Sequence, residues 1–220
     1  MKGVKIIIPA RLGSKGLPFK NRKLFKYTAE SIPEELKSST WVTSNDLEII
    51  NYAKEYNFNR VLRPSSLAND ETSTKEVILH ALDIIKPDPE DTIILLYLTY
   101  PQRTWQRVES AFSFFKHWNL SRGISSLLCK KEVKVSPYLC LQETDATSFF
   151  GKQIVPHDLY RRQDYPKCFE LSHFISMFRA DAINNLNQNL YNEKTVFYPI
   201  DEIVDVDTQK DLDNFNELGN

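Results

Sequence analysis

The run Thr92-Ile93-Ile94-Leu95-Leu96-Tyr97-Leu98 is apolar at successive positions, and it constrains the fold more than any other part of the chain. Side chains along a strand point alternately to the two faces of a sheet, so a strand of this kind is buried on both. That is the signature of a central strand in a parallel sheet covered by helices. Residues 4–8, 41–43, 60–62, 123–129, 174–178, 196–198 and 203–206 read as further strands. Between them, Asn45-x-x-Glu48 and Ser73-x-x-Glu76 have the form of capping boxes. The first predicts a helix to about Tyr56 with Leu47, Ile50 and Ala53 inward. The second predicts a helix in which Val77, Ile78, Ala81, Leu82 and Ile85 recur at helical spacing, ended by Pro87 and Pro89. Two more helices are expected, from Thr104 to about Trp118 and from Thr208 to about Leu218.

This alternation predicts an α/β, doubly wound, mostly parallel and Rossmann-like sheet, with substrates bound where strands end in loops. At 220 residues, with 41% hydrophobic content, the chain is long enough to bury one large core, so residues 1–220 are expected to form one domain. The alternation falters between Leu141 and Pro166, where charge and aromatics are dense, and residues 142–166 read as an excursion from the core.

The first strand runs directly into Pro9-Ala10-Arg11-Leu12-Gly13-Ser14-Lys15-Gly16-Leu17-Pro18-Phe19-Lys20-Asn21. Glycine lets backbone amides turn toward an anion without a Cβ in the way, and Arg11, Lys15 and Lys20 add positive charge, so the loop looks built to hold phosphates. Its spacing fits neither GxxxxGK[ST] nor GxGxxG. Lys and Arg number 28 against 29 Asp and Glu, a net charge of −1, which gives no general attraction to nucleic acid or membrane. The anion site must therefore be local. Three cysteines at wide spacing, Cys129, Cys140 and Cys168, suggest neither a disulfide framework nor a zinc site. With no apolar leader after Met1-Lys2-Gly3 and no run approaching a membrane span, a cytoplasmic location is expected.

The loop, with Ile8-Pro9-Ala10-Arg11, Ser14-Lys15-Gly16 and Lys20-Asn21, resembles the amino-terminal signature of the acylneuraminate cytidylyltransferase family, which makes CMP-activated nonulosonic acids such as CMP-sialic acid. Arg63-Pro64-x-x-Leu67-Ala68-x-Asp70-x-Thr72-Ser73 resembles the family's second nucleotide motif, and Val204-Asp205-Val206-Asp207-Thr208 its acidic pair. The resemblance implies a nucleotidyltransferase with a dimerisation arm, here 142–166, acting as a homodimer. It implies that CMP passes from CTP to a small acidic acceptor, a nonulosonic or related keto-sugar acid, with release of pyrophosphate. Ala10, Arg11, Gly13, Ser14 and Lys15 would hold the nucleotide, with Lys20 on the triphosphate and Asn21 fixing the loop. Arg63, Thr72, Ser73 and Thr74 would lie against cytosine and ribose. Asp205 and Asp207, two apart on an extended strand, would point the same way and share Mg²⁺. Arg11, Lys20 and Asp207 are the expected catalytic residues.

The acceptor side departs from the family. Its central QPTSPLR stretch reads Tyr97-Leu98-Thr99-Tyr100-Pro101-Gln102-Arg103 here, and its histidine-proline pair followed by lysine becomes Ser136-Pro137-Tyr138-Leu139. Arg162-Gln163-Asp164-x-Pro166 matches the stretch supplying an acceptor-binding arginine, but Ser172-His173-Phe174-Ile175-Ser176 follows where asparagine-glycine-alanine-x-tyrosine is usual. Tyr97, Thr99, Tyr100, Tyr138, Arg162, Ser172 and His173 are therefore expected around a changed acceptor. His173 is a candidate for general base, although the sequence locates no partner carboxylate for it. Two alternatives stay open: a cytidylyltransferase with a non-sialic acceptor such as a phosphonate, or a retired paralogue that binds the nucleotide without turnover.

Overall fold

The computed structural model describes residues 3–144, 150–201 and 203–218. Its main sheet has seven strands in the order β3-β2-β1-β4-β8-β5-β9, and a two-stranded sheet pairs β6 with β7. The strands are β1 (Val4–Pro9), β2 (Thr40–Ser44), β3 (Asn59–Leu62), β4 (Thr92–Leu95), β5 (Ser126–Glu132), β6 (Leu141–Glu143), β7 (Gly151–Gln153), β8 (Phe169–Arg179) and β9 (Thr195–Pro199). In the main sheet only β8 is antiparallel to its neighbours, β4 and β5. The helices are α1 (Lys20–Ser31), α2 (Leu47–Glu55), α3 (Thr74–Ile85), α4 (Trp105–Arg122) and α5 (Gln209–Leu218).

The central strands divide their side chains between two cores. Ile6, Ile8, Ile94 and Leu96 face one cluster with Leu24 and Phe25 of α1 and Phe115 of α4, whereas Ile7, Ile93 and Leu95 face the other with Ile78 and Ala81 of α3. Helices thus cover both faces, which is why β4 carries no polar stripe. Successive strands step outward from β1 to β3, and the chain then returns to β4 on β1's other side. Loops leaving β1 and β4 therefore diverge, opening a crevice at the carboxyl ends of the strands.

Several local expectations are corrected. Helix α1 carries no sequence mark of its start: its N-cap is Phe19, in the left-handed region with φ 55°, and no side chain caps it. Asn45-x-x-Glu48 is not a capping box, because Asp46 caps α2 by accepting from Glu48 N. Ile49 and Ala53 form that helix's buried face, and Leu47 is exposed. Ser73 and Glu76 do form the reciprocal box that starts α3. The strand expected at 123–129 begins at Ser126, and that expected at 174–178 extends from Phe169 to Arg179. Residues 203–206 are not a strand. That segment is instead tethered to the β4–α4 loop, with Val206 N donating to Thr99 O at 2.8 Å and Val204 N donating to Gln102 Oε1 at 3.4 Å.

The excursion contains the β6–β7 ladder, in which Leu141 pairs with Gln153 and Glu143 with Gly151. Within the expected arm of 142–166, residues 145–149 lie outside the described residues.

Candidate active site

A cavity of about 300 Å³ opens at the crevice between the β1 and β4 loops. Its walls come from three segments: Arg11, Ser14, Lys20 and Asn21 after β1; Arg63, Asp70, Thr72 and Thr74 after β3; and Tyr97 and Thr99 after β4.

The β1 loop is held from several sides. Ala10 N donates to Thr43 O at 3.0 Å, continuing the sheet, and Leu12 N donates to Asn45 Oδ1 at 2.9 Å. Asn21 Nδ2 donates to Arg11 O at 2.8 Å, closing the loop onto the first turn of α1. Gly13 has φ 90°, a conformation that disfavours any side chain. At Gly16 an added β-carbon would lie 2.5 Å from Asp207 O, so this glycine lets the loop touch the acidic segment.

The loop's cations meet carboxylates across the crevice. Arg11 Nη2 and Lys15 Nζ lie 2.5 Å from Asp70 Oδ1 and Oδ2, and Lys20 Nζ lies 2.5 Å from Asp207 Oδ1. Those bonds to Lys15 and Arg11 hold the Asp70 carboxyl below the usual range. Arg63 is buried, donates from Nη2 to Thr43 O at 2.9 Å, and among the described residues leaves Nε without a partner. Burial, reinforced by the charge of Arg11, pushes its pKa down to about 10. Four cations are thus gathered at one end of a molecule whose net charge is −1.

Asn69 shapes the next wall by accepting from Glu71 N at 3.0 Å and from Thr72 N and Thr72 Oγ1 at 2.8 Å each. Thr72 and Thr74 face the cavity, whereas the Ser73 hydroxyl is engaged with Glu76 as the cap of α3.

Beyond Tyr97 lies a second polar group. Burial pushes the Tyr97 hydroxyl up to about 12, against the opposing influence of Thr74, while its ring lies 5.5 Å from that of His173. His173 Nδ1 is 3.3 Å from Ser176 Oγ. Burial lowers the His173 pKa, and Asp205 nearby opposes that shift. Tyr100 is buried edge-on to Phe174; burial, then the charge of Asp205, raises its pKa. Asp205 lies near enough to Tyr100 and His173 for its charge to act on both, and the Asp207 carboxylate contacts Lys20.

Asp207 does not cap the last helix. Asp211 accepts from Thr208 N at 2.8 Å and from Thr208 Oγ1 at 2.7 Å, leaving the Asp207 carboxylate directed at Lys20. Arg162 and Tyr138 lie apart from the cavity. Arg162 borders a separate surface depression with Ser136 and Tyr165, and Tyr138 stacks on Tyr165 at 5.5 Å.

Sequence reasoning missed Arg103 as an organising residue. Its buried guanidinium donates to Tyr97 O at 2.6 Å, Phe174 O at 2.7 Å and Thr28 Oγ1 at 3.1 Å, joining the site's β4 loop to β8 and α1. Nothing local marks it, since all three acceptors are distant in sequence or on the backbone.

As a whole, the cavity presents cations for a polyanion and a wall formed by Thr72, Thr74 and Val77, with the Asp207 carboxylate held against Lys20 at its edge. Asp205 and Asp207 are hard oxygen donors of the kind Mg²⁺ takes, and Mg²⁺ commonly uses one or two carboxylates with substrate phosphates and water filling the rest. No group of three or more His, Cys, Asp or Glu positioned to hold a metal occurs among the described residues, so these carboxylates fit only an ion completed by its substrate.

Residues 5–101 match the profile of a family described as cytidylyltransferase. The N-acylneuraminate cytidylyltransferase of Escherichia coli O18:K1:H7 (strain RS218 / NMEC) is 34% identical over 117 residues, 50% of this chain and 27% of that protein. The pseudaminic acid cytidylyltransferase of Campylobacter jejuni subsp. jejuni serotype O:2 (strain ATCC 700819 / NCTC 11168) is 25% identical over 218 residues, 94% of this chain and 92% of that protein. The chain thus spans about a quarter of the first relative and nearly all of the second. Among solved structures, a CMP:2-keto-3-deoxy-manno-octonic acid synthetase complexed with CTP superposes with a TM-score of 0.67 at 15% identity, covering 98% of each chain. At that identity the likeness concerns the fold.

Proposed function

We propose that this chain, which resembles cytidylyltransferases over residues 5–101 and in its relatives, transfers CMP from CTP to an acidic sugar and releases pyrophosphate. The observation that carries this reading is the cavity at the topological switch point, lined by Arg11, Lys20 and Arg63, with Lys15 paired to Asp70 on its wall and Asp207 paired to Lys20. Nucleotidyl transfer spreads charge over phosphate oxygens, so catalysis rests on positioning and on charges fixed in advance. Arg11 and Lys15 hold the outer phosphates, and the close approach of Gly16 to Asp207 fixes their distance from the acidic segment. Lys20 is placed for the α-phosphate side because it already contacts Asp207. Thr72 and Thr74, with the buried Arg63, line the slot for cytosine and ribose.

Asp205 and Asp207 would hold Mg²⁺, which when bound supplies Lewis-acid stabilisation of the phosphate and the attacking oxygen. The acceptor lies toward Tyr97, Thr99, Tyr100, Ser172 and His173. A carboxylate there would find aromatic walls and hydroxyl donors in place of an amide or ammonium. Arg162 is on the arm, away from the cavity, so its role toward the acceptor requires that it reach the site of a partner subunit. A homodimer through the arm is supported by its exposed apolar side chains, among them Phe150, Ile154, Leu159 and Tyr160. Action in the cytoplasm on soluble substrates is part of the same proposal. Among the described residues no helix is long and apolar enough to cross a membrane.

The test is pyrophosphate release from CTP and Mg²⁺ with sialic, legionaminic, pseudaminic and octulosonic acids beside a set of phosphonates. Release with one sugar acid is expected. Release only with a phosphonate would move the acceptor outside the sugar acids, and CTP binding without release under any acceptor would indicate a retired enzyme.

A further inference from the structure

We propose that Asp70 is an internal competitor for the triphosphate subsite, its carboxylate occupying Arg11 and Lys15 in place of a phosphate group and thereby favouring departure of pyrophosphate. The inference rests on the cytidylyltransferase reading and assigns a residue to the release step of that reaction. Both Asp70 oxygens are committed, one to Arg11 Nη2 and one to Lys15 Nζ, each at 2.5 Å. A bridging carboxylate of this kind offers the cations what two oxygens of a phosphate would offer, and both partners come from the loop expected to hold phosphate.

The carboxylate is not a stray surface charge. It sits at the tip of a turn that Asn69 ties to Glu71 and Thr72, and it lines the cavity with Arg11. Across that cavity Arg63 is buried and repelled by Arg11, so the cation cluster without an anion is self-repelling. Asp70 relieves that repulsion while the subsite is empty. An incoming triphosphate must displace it, and a departing pyrophosphate is replaced by it. Because the Asp70 side chain is 44% exposed, the exchange needs no burial or unburial of charge. The competition is therefore modest and reversible, as for other exposed ion pairs.

The experiment is calorimetric titration of the full chain, wild type, Asp70→Asn and Asp70→Ala, with inorganic pyrophosphate, CTP and cytidine. Both variants are expected to bind pyrophosphate and CTP about threefold to tenfold more tightly, the range that exposed ion pairs support, with cytidine affinity unchanged. Steady-state turnover should show KM for CTP and kcat falling together, as release slows. Unchanged or weaker pyrophosphate binding in the variants, or a loss of cytidine binding, would overturn the inference and assign Asp70 to organising the loop or holding the ribose. If the wild type bound neither CTP nor pyrophosphate, the cytidylyltransferase reading would fall first and the inference with it.

Discussion

Gly16 and Asp207, far apart in sequence, meet so closely that a β-carbon on Gly16 would stand 2.5 Å from the Asp207 carbonyl oxygen. Backbone, not a flexible side-chain end, is what such a methyl group would meet, so the phosphate loop and the acidic segment must separate to admit it. Gly16→Ala is expected to destabilise the fold by about 1–3 kcal/mol, typical of overpacking. A displacement near 1 Å between Lys20 and Asp207 should lower kcat/KM by about 100-fold. Chemical denaturation and steady-state kinetics on the variant measure both, and wild-type kinetics would show that the contact does not set the site's geometry.

Asp207 and Lys20 should separate turnover from folding. The Asp207 side chain is 62% exposed, so Asp207→Ala should change stability by no more than about 0.5 kcal/mol, as for surface sites. Turnover should fall by about three orders of magnitude, the scale of charge stabilisation by a bound metal. Lys20→Ala removes a fixed charge from the developing negative charge and should cost about 100- to 1000-fold in kcat. Thermal unfolding beside a pyrophosphate-release assay reads the two effects. Activity retained in Asp207→Ala would remove it from metal binding.

The central fold was legible because its signals are local. Doubly apolar strands and the Ser73–Glu76 box need only neighbours in sequence, and both are present in the structure. Helix α1 was not legible, since a left-handed Phe19 opens it where a polar cap would ordinarily stand. The motifs around Arg11, Arg63 and Tyr97 line one cavity, but how their charges pair depends on contacts such as Arg11 with Asp70 that span 59 positions. Residues 204–207 alternate apolar and acidic side chains as a strand would, yet the backbone N–H groups of Val204 and Val206 donate to a loop at Gln102 and Thr99, and no sheet ladder forms. Local pattern could not reveal that.

His173 makes a pH prediction. Burial lowers its folded pKa below 6.5, with Asp205 opposing. As pH falls below 6.5 the unfolded chain takes up this proton before the folded one does, so stability declines until the lowered folded pKa is passed, and is flat beyond it. Wild type should therefore lose stability relative to His173→Asn as pH drops from neutrality, with a slope of at most about 1.4 kcal/mol per pH unit. Urea titrations from neutral to mildly acidic pH test this. Parallel curves for the two proteins would mean that His173 carries the same proton affinity folded and unfolded.

Arg103 should prove to be the residue on which the acceptor side depends for its shape. It is 2% exposed, has no carboxylate partner among the described residues, and burial pushes its pKa down to about 9. Three oxygens compensate: the carbonyls of Tyr97 and Phe174 and the hydroxyl of Thr28. The guanidinium also lies over the Phe174 ring at 5.8 Å, the same ring that Tyr100 meets edge-on. Arg103→Met would fill much of the volume but leave those acceptors buried and unpaired, each costing about 1–3 kcal/mol. A total loss of about 3 kcal/mol or more is a large share of the 5–15 kcal/mol typical of a domain. Arg103→Lys should recover only part, because one ammonium cannot span acceptors on three elements. Where the variants remain folded, Tyr97 and Phe174 lose their common anchor, so KM for the acceptor should rise more than KM for CTP. Equal rises would place the effect of Arg103 on the whole cavity rather than on its acceptor side.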